Sequence, residues 1–199
     1  MENDLRRLPA LSAIGARLEV AGAPSAVLIN GTVGVGKTTI AEAVGELLTE
    51  LGVAHAVIDV DGLGNSWPRP PDDPFNMRLG LQNLTSMTRN YLDAGMLRLV
   101  LAGVVEAHAD RKAFEDALGV PLLVCRLRAD LPVVVKRLTR RHGEDRSSLE
   151  WHPARAPELE AILDSTKVDD IVFDASSAQP PETAKDVLRA LDWARGRHE

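Results

Sequence analysis

The sequence has few of the residues that build covalent or metal cross-links. Cys125 is the single cysteine among 199 residues, which excludes a disulfide within the chain and a cysteine-rich zinc site. Its neighbours are apolar, so we expect a buried thiol without a chemical role. The histidines show no metal-ligand spacing, and we expect all five to be structural or solvent-exposed: His55, His108, His142, His152 and His198.

The sequence also lacks a long apolar run. No apolar segment reaches the roughly 18–20 residues needed to cross a membrane. Near the start, Arg6-Arg7 precedes an apolar stretch similar to a signal sequence, but Pro9, Arg17 and Glu19 interrupt it. We therefore predict an amphipathic N-terminal helix over residues 1–22 and a cytoplasmic location.

There is no excess of positive charge over the whole chain. Lys and Arg total 23 and Asp and Glu total 29, so the formal net charge is −6, which argues against a long nucleic-acid partner. The charge is uneven, because residues 126–155 carry eight basic and four acidic residues. Only five lysines occur in the chain, against 18 arginines.

Apolar segments that suit strands alternate with segments of helical spacing along the chain. The predicted strands lie at 27–30, 56–61, 97–102, 122–127 and 170–174. The predicted helices lie at 37–51, 76–94, 106–118, 131–141, 157–163 and 183–195. This alternation predicts one α/β domain over residues 1–199, with a five-stranded parallel sheet and helices on both faces in three layers.

The segment Gly31-Thr32-Val33-Gly34-Val35-Gly36-Lys37-Thr38 fits the phosphate-binding pattern G-x-x-x-x-G-K-[ST], between a predicted strand and a predicted helix. The glycines let backbone N–H groups turn toward a polyphosphate, and the helix N-terminus adds partial positive charge. Lys37 is expected to reach the β- and γ-phosphates, and the Thr38 hydroxyl to hold Mg²⁺. The predicted nucleotide-binding residues are Gly31, Thr32, Val33, Gly34, Val35, Gly36, Lys37, Thr38 and Thr39.

Two carboxylates follow the second predicted strand, as Asp59-Val60-Asp61. Because residues i and i+2 of a strand share a face, both are predicted to point the same way at the C-terminal edge of the sheet, where α/β sheets bind ligands. The alternative is that one of the two Asp residues caps the following turn, since Asp61-Gly62 is a good turn dipeptide. No Asn-Lys-x-Asp signature for guanine is present.

With these motifs the sequence resembles the P-loop small-molecule kinases, in the branch that contains shikimate kinase, adenylyl-sulfate kinase, gluconate kinase and chloramphenicol phosphotransferase. The resemblance spans roughly residues 25–180 and rests on the loop, on Asp59-x-Asp61 and on the arginine-bearing helix after strand four. It implies an ATP- and Mg²⁺-dependent kinase that phosphorylates a hydroxyl of a small molecule. In such kinases the residue at Asp61 orients the hydroxyl or takes its proton, and the residue at Asp59 helps hold Mg²⁺.

The helix after strand four carries Arg137 and Arg141, four residues apart and hence on one face. Similarity to nucleoside monophosphate kinases implies that both approach the nucleotide and act in catalysis, with residues 142–157 as a short lid. The alternative is a solvated basic face. Residues 174–180 resemble the segment that borders adenine in these kinases.

The same resemblance places the acceptor site at residues 62–94. Candidate acceptor contacts are Asp61, Trp67 in a stiff proline-rich loop, Arg78, and Gly103 after strand three. A surface salt bridge for Arg78 and an ordinary strand end for Gly103 are the alternatives. The acceptor's identity stays open. The sequence lacks the arginine that adenylyl-sulfate kinases carry shortly after the second Asp, and the glycine pair that shikimate kinases carry after strand three.

Two other functions stay open at this point. One is a nucleoside or nucleotide kinase, and the other is a P-loop ATPase or ATP-binding module without a small-molecule acceptor. The expected partners are ATP and a small molecule, and the oligomeric state is not indicated by the sequence.

Overall fold

In the computed structural model of the chain, the described residues are 23–142 and 146–193, with side chains described except at 140–142 and 146–154. The helix predicted over residues 1–22 and residues 143–145 of the predicted lid lie outside these ranges. The strands are β1 Ser25–Gly31, β2 His55–Asp59, β3 Arg98–Ala102, β4 Leu122–Arg128 and β5 Ile171–Asp174. The helices are α1 Lys37–Glu50, α2 Met77–Asp93, α3 His108–Leu118, α4 Leu131–His142, α5 Arg146–Thr166 and α6 Pro180–Ala190.

The five strands pair in parallel in the order β2-β3-β1-β4-β5, which confirms the predicted parallel sheet. All seven residues of β1 are buried, and its side chains alternate between two apolar clusters. Val27 and Ile29 pack toward α1 and α6, whereas Ala26 and Leu28 pack toward α2, α3 and α5. The three-layer α/β architecture is therefore confirmed, with β1 and the segment that follows it in the middle of the sheet.

Helix α5 begins much earlier than the sequence predicts. The predicted helix covers only 157–163, because Pro153 and Pro157 each remove a backbone donor from a helix interior. In the structure α5 runs from Arg146 to Thr166. Ala156, Leu159 and Leu163 are spaced for one helical face and are at most 2% exposed, so burial of that face stabilises a helix that local propensity disfavours.

Cys125 lies in β4 and is fully buried, as predicted, and this burial raises the pKa of its thiol. Within the described ranges, no helix has both the length and the apolarity that crossing a bilayer requires.

Candidate active site

The loop between β1 and α1 turns on glycines whose geometry leaves no room for a side chain. Gly31 and Gly34 have φ of +134° and +78°. A Cβ on Gly31 would lie 2.5 Å from the Leu127 carbonyl oxygen, and one on Gly34 would lie 2.5 Å from Cγ of Leu138. Gly31 is a defined position of the motif. Gly34 is required by this fold, because the loop packs directly on α4.

The loop is held in place by side-chain hydrogen bonds. Lys37 Nζ donates to the carbonyls of Gly31 at 3.1 Å and Thr32 at 3.2 Å, so the ammonium group lies within the curve of the loop. Thr32 Oγ1 donates to the carbonyl of Ala156 in α5 at 2.8 Å. The loop is thereby fixed to α5. Gly31 and Thr32 lie buried, and the residues from Val33 to Thr39 line a cleft of about 1510 Å³.

The structure brings Thr38 and Asp59 together. The Thr38 hydroxyl donates to Asp59 Oδ2 at 3.2 Å, and Asp59 Oδ1 accepts from the backbone N–H of Asp61 at 3.1 Å. Strand β2 ends at Asp59, and Val60–Gly62 form a 3₁₀ turn. The prediction that Asp59 and Asp61 share a strand face is therefore wrong, because the Asp59 carboxylate caps the turn and ends the strand. Asp59 and Asp61 both line the cleft.

Arg137 joins two sides of the cleft, the glycine-rich loop and the segment after β5. Its guanidinium donates to the carbonyl of Val35 in the loop at 2.8 Å and to the carbonyl of Ala175 after β5 at 2.9 Å. Residues 175–180 line the cleft beside it, where the sequence predicts the border of the adenine site. The described contacts of Arg137 thus position backbone. The side chain of Arg141 lies outside the described residues.

Three predicted acceptor residues are not brought to the cleft. Trp67 is 92% exposed on the proline-rich loop. Arg78 forms a bidentate ion pair with Asp72, with N···O distances of 3.0 and 3.1 Å. This is the surface salt bridge that the sequence left open as the alternative to an acceptor contact. Gly103 is buried, and a Cβ there would lie 3.1 Å from Cβ of Val60, so it packs beneath the turn. None of the three is among the lining residues.

Other residues of the same region line the cleft instead. Asp73 accepts from the backbone N–H groups of Met77 and Arg78 at the start of α2, and these bonds hold the pKa of its carboxyl below the usual value. Glu106 after β3 accepts from Arg155 Nη2 at 2.7 Å, which ties α5 to that strand end. This pair was not predicted from the sequence. The signal that could have marked it is an acidic residue shortly after a strand end, opposite an arginine of the predicted lid.

A buried polar network lies behind the loop, and it too was not predicted. The Asn30 side chain donates to the Val105 carbonyl at 3.1 Å and to Asp169 Oδ1 at 2.9 Å, and it accepts from the Val105 N–H at 3.2 Å. Asp169 lies 3.8 Å from Arg126, which also contacts Glu160 of α5 at 2.8 Å. Burial raises the pKa of Asp169. The network fixes the end of β1, just before the loop, to the neighbouring strand end.

Comparison with known proteins identifies the fold. No protein-family model matches the chain, and no curated protein matches it. Solved structures do match. They include a gluconokinase from Sinorhizobium meliloti 1021, at 18% identity and TM-score 0.53, covering 85% of this chain and 93% of that one. A shikimate kinase from Acinetobacter baumannii matches at 19% identity and TM-score 0.56, covering 92% and 99%. The Mycobacterium tuberculosis APS kinase matches at 24% identity and TM-score 0.54, covering 85% and 98%.

The chain has the P-loop small-molecule kinase fold. The resemblance stated from the sequence is thus confirmed at the level of the fold, by matches that cover most of both chains. In this P-loop kinase fold the glycine-rich loop, the Asp59–Gly62 segment and residues 175–180 meet at the C-terminal edge of the sheet.

Proposed function

We propose that the protein transfers the γ-phosphate of ATP to a hydroxyl group of a small molecule. The observation that carries this proposal is the placement of Lys37, Thr38, Asp59 and Asp61 in one cleft, with the Thr38 hydroxyl bonded to Asp59. A nucleotide-binding module without an acceptor needs the loop, but it does not need Asp61 beside it. The gluconokinase, shikimate kinase and APS kinase with this fold support the same proposal.

The residues present fit a magnesium ion. Thr38 and Asp59 offer a hydroxyl and a carboxylate oxygen 3.2 Å apart, and Mg²⁺ prefers oxygen ligands from one or two side chains together with substrate phosphates. When bound, the ion neutralises charge on the β- and γ-phosphates. We assign Thr38 as the residue that holds it, with Asp59 positioned beside it to hold its water ligands.

Different groups of the chain bind the phosphates, border the adenine and prepare the acceptor hydroxyl for phosphoryl transfer. Backbone N–H groups of the loop and Lys37 bind the phosphates, and residues 175–180 with Arg137 border the adenine. Asp61 orients the acceptor hydroxyl and takes its proton. The hydroxyl oxygen forms a bond to the γ-phosphorus, the bond from that phosphorus to the β–γ bridging oxygen breaks, and ADP leaves.

The first half of α5 is the proposed lid, within the residues 142–157 that the sequence predicts for it. Its contacts with the site are the Thr32–Ala156 hydrogen bond and the Arg155–Glu106 ion pair. Arg155 Nη1 also lies 2.9 Å from Glu158 within α5. These contacts tie the segment to the loop and to the β3 side of the cleft, where it would shield both substrates from water.

The test is acceptor-dependent ADP release, measured with Mg²⁺ and ATP across sugars, nucleosides, antibiotics and short RNAs. We expect turnover that requires an acceptor and falls at least about 100-fold in Asp61→Asn, because proton transfer contributes about 10²–10⁴-fold. Lys37→Ala is expected to lose ATP affinity. The matched control is Asp93→Asn, an exposed carboxylate at the end of α2.

Two outcomes contradict the proposal. ADP release that needs no acceptor and is unchanged in Asp61→Asn indicates an ATPase. Turnover confined to nucleoside monophosphates, added to the same panel, indicates a nucleotide kinase, because the acceptor oxygen then belongs to a phosphate group. Turnover confined to nucleosides keeps transfer to a hydroxyl and identifies the small molecule as a nucleoside.

A further inference from the structure

The acceptor end of the cleft is the part beyond Asp61, on the β2–β3 side of the loop. From its chemistry we propose that the acceptor is a hydroxyl compound with an apolar body and without a carboxylate, phosphate or sulfate group. The inference rests on the proposed function and narrows the substrate class. Three observations among the described residues carry it: the apolar walls, the sign of the charges, and the pairing of the arginines.

Apolar side chains form most of the walls of the acceptor end. Phe75 is 67% exposed at its rim, while Met77, Leu81 and Val104 are half-buried along its sides. Its floor reaches side chains of the hydrophobic core that are at most 2% exposed, namely Leu84, Phe114 and Leu159. Burial of an apolar ligand body against such a surface is favourable, because it removes apolar area from water.

The charged groups at the acceptor end are predominantly carboxylates. Asp61, Asp73, Glu106 and Asp110 all line it. Asp110 accepts from the backbone N–H groups of Glu106 and Ala107, just as Asp73 accepts from the start of α2. An anionic ligand would therefore enter a site that already carries several negative charges.

The arginines of the region are engaged with other groups. Arg78 pairs with Asp72, and Arg89 lies 4.0 Å from Asp93 on the exposed face of α2. Arg155 lines the cleft but pairs with two carboxylates. Arg69 lines the cleft and donates to the Pro74 carbonyl at 3.2 Å. Among the described residues at the acceptor end, Arg69 is therefore the arginine for which the structure shows no ion pair.

A single arginine on an exposed loop does not offset the hydration that an anion loses when it enters the cleft. A carboxylate or phosphate taken from water needs paired, hydrogen-bonding cations to offset its lost hydration, and bidentate arginines are the usual solution. Hydroxyl groups carry no charge, so their transfer from water needs no cation to offset it. Among the described residues, the charge balance therefore disfavours anionic acceptors and is compatible with uncharged and amine-bearing ones.

The test uses ligand pairs in which a carboxylate is replaced by a neutral alcohol or ester: sorbitol with gluconate, methyl shikimate with shikimate, and 3-phenyl-1,2-propanediol with 3-phenyllactate. Binding to the full chain is measured by calorimetry with Mg²⁺ and a non-hydrolysable ATP analogue, and phosphorylated product is measured by mass spectrometry with ATP. We expect the uncharged member of the best-binding pair to bind at least about tenfold more tightly. Arg69→Gln is expected to leave its binding unchanged, like the control Arg89→Gln.

The inference is overturned if the anionic member of a pair binds more tightly, or if no uncharged member binds; loss of that advantage in Arg69→Gln would identify Arg69 as the residue that holds the anion. Its failure is distinct from failure of the proposed function. Binding of the uncharged ligands without any phosphorylated product contradicts the kinase but supports the ligand class. Phosphorylation of an anionic member alone supports the kinase and contradicts the ligand class.

Discussion

The hydroxyl of Thr38 lies 3.2 Å from Oδ2 of Asp59, although the two residues are 21 positions apart in the chain. Thr38 is the second residue of α1, and Asp59 ends β2. Their contact joins the phosphate-binding loop to the strand end that carries Asp61, and it forms the pair of oxygens assigned to magnesium.

The first prediction concerns this pair. In Thr38→Val the hydroxyl is lost and the shape is kept, so we expect the Mg²⁺ concentration for half-maximal turnover to rise at least about tenfold. Thr38→Ser keeps the hydroxyl and should restore most of the wild-type value. The measurement is a magnesium titration of ADP release at saturating ATP. An unchanged titration in Thr38→Val would show that this hydroxyl does not hold the ion.

The second prediction concerns the bridge that Arg137 makes between Val35 and Ala175. Replacement by Met removes two hydrogen bonds from a charged donor, so we expect ATP affinity to fall about tenfold or more. If Arg137 acts by positioning the backbone, KM for ATP rises while kcat changes little. Lys136→Met, on an exposed neighbour in the same helix, is the control. A large loss of kcat at unchanged KM would instead support the catalytic role predicted from the sequence.

The third prediction compares two glycines with positive φ. Gly34 has φ +78° and faces Leu138, whereas Gly52 has φ +66° and a Cβ placed there would have no neighbour within 4 Å. Alanine at either position adds backbone strain of about 1–2 kcal/mol. Gly34→Ala also overpacks against Leu138, which costs about 1–3 kcal/mol more and distorts the loop. Urea unfolding and ATP titration of both variants check this, and equal effects on stability and binding would refute it.

The fourth prediction concerns pH and the buried Asp169. Its pKa is raised, chiefly by burial, so the folded state holds its proton more tightly than the unfolded state does. The contribution of Asp169 to stability is therefore greatest at low pH, and it declines as pH rises from the ordinary value of 3.8 through the raised value. Asp169→Asn removes this decline, so the stability of the variant relative to wild type should increase with pH across that window.

Asp174 supplies a control of opposite sign. Hydrogen bonds from Ser176 lower the pKa of Asp174, so Asp174→Asn should lose relative stability as pH rises toward the ordinary value. Urea unfolding of both variants and wild type between about pH 2 and 7 measures the two slopes. Parallel slopes in the two variants would contradict the account of Asp169.

Strands, helices and loops that have a strong local signal in the sequence are predicted well. The strand before Gly31, the loop and α1 follow from a motif and its flanking periodicity, so their bounds agree to within a few residues. The predicted α5 is too short, because Pro153 and Pro157 are strong local signals and the packing of its buried face is a tertiary effect. The predicted end of β2 is misplaced, because the Asp59 cap depends on the turn that follows.

The parts of the site that were not predicted depend on long separations in the chain. Asn30 and Asp169 are 139 residues apart, and Arg155 and Glu106 are 49 apart, so no local pattern marks either contact. Trp67 is a candidate because its residue type is rare, but the path of the loop decides whether a side chain enters the cleft. That path is set by contacts such as the hydrogen bond that the Asn76 side-chain amide donates to the Gly64 carbonyl at 3.1 Å.

The order of the strands has a consequence for how specificity can diversify. With β1 at the centre, the segments to which we assign the adenine border follow β4 and β5, while most of the walls of the proposed acceptor end follow β2 and β3. On the proposed function, exchange of residues 62–84 would alter which molecule is phosphorylated and leave nucleotide affinity intact. On this proposal the two halves of the sheet edge can change independently. A new acceptor preference could therefore be engineered without altering the site that binds the phosphate donor.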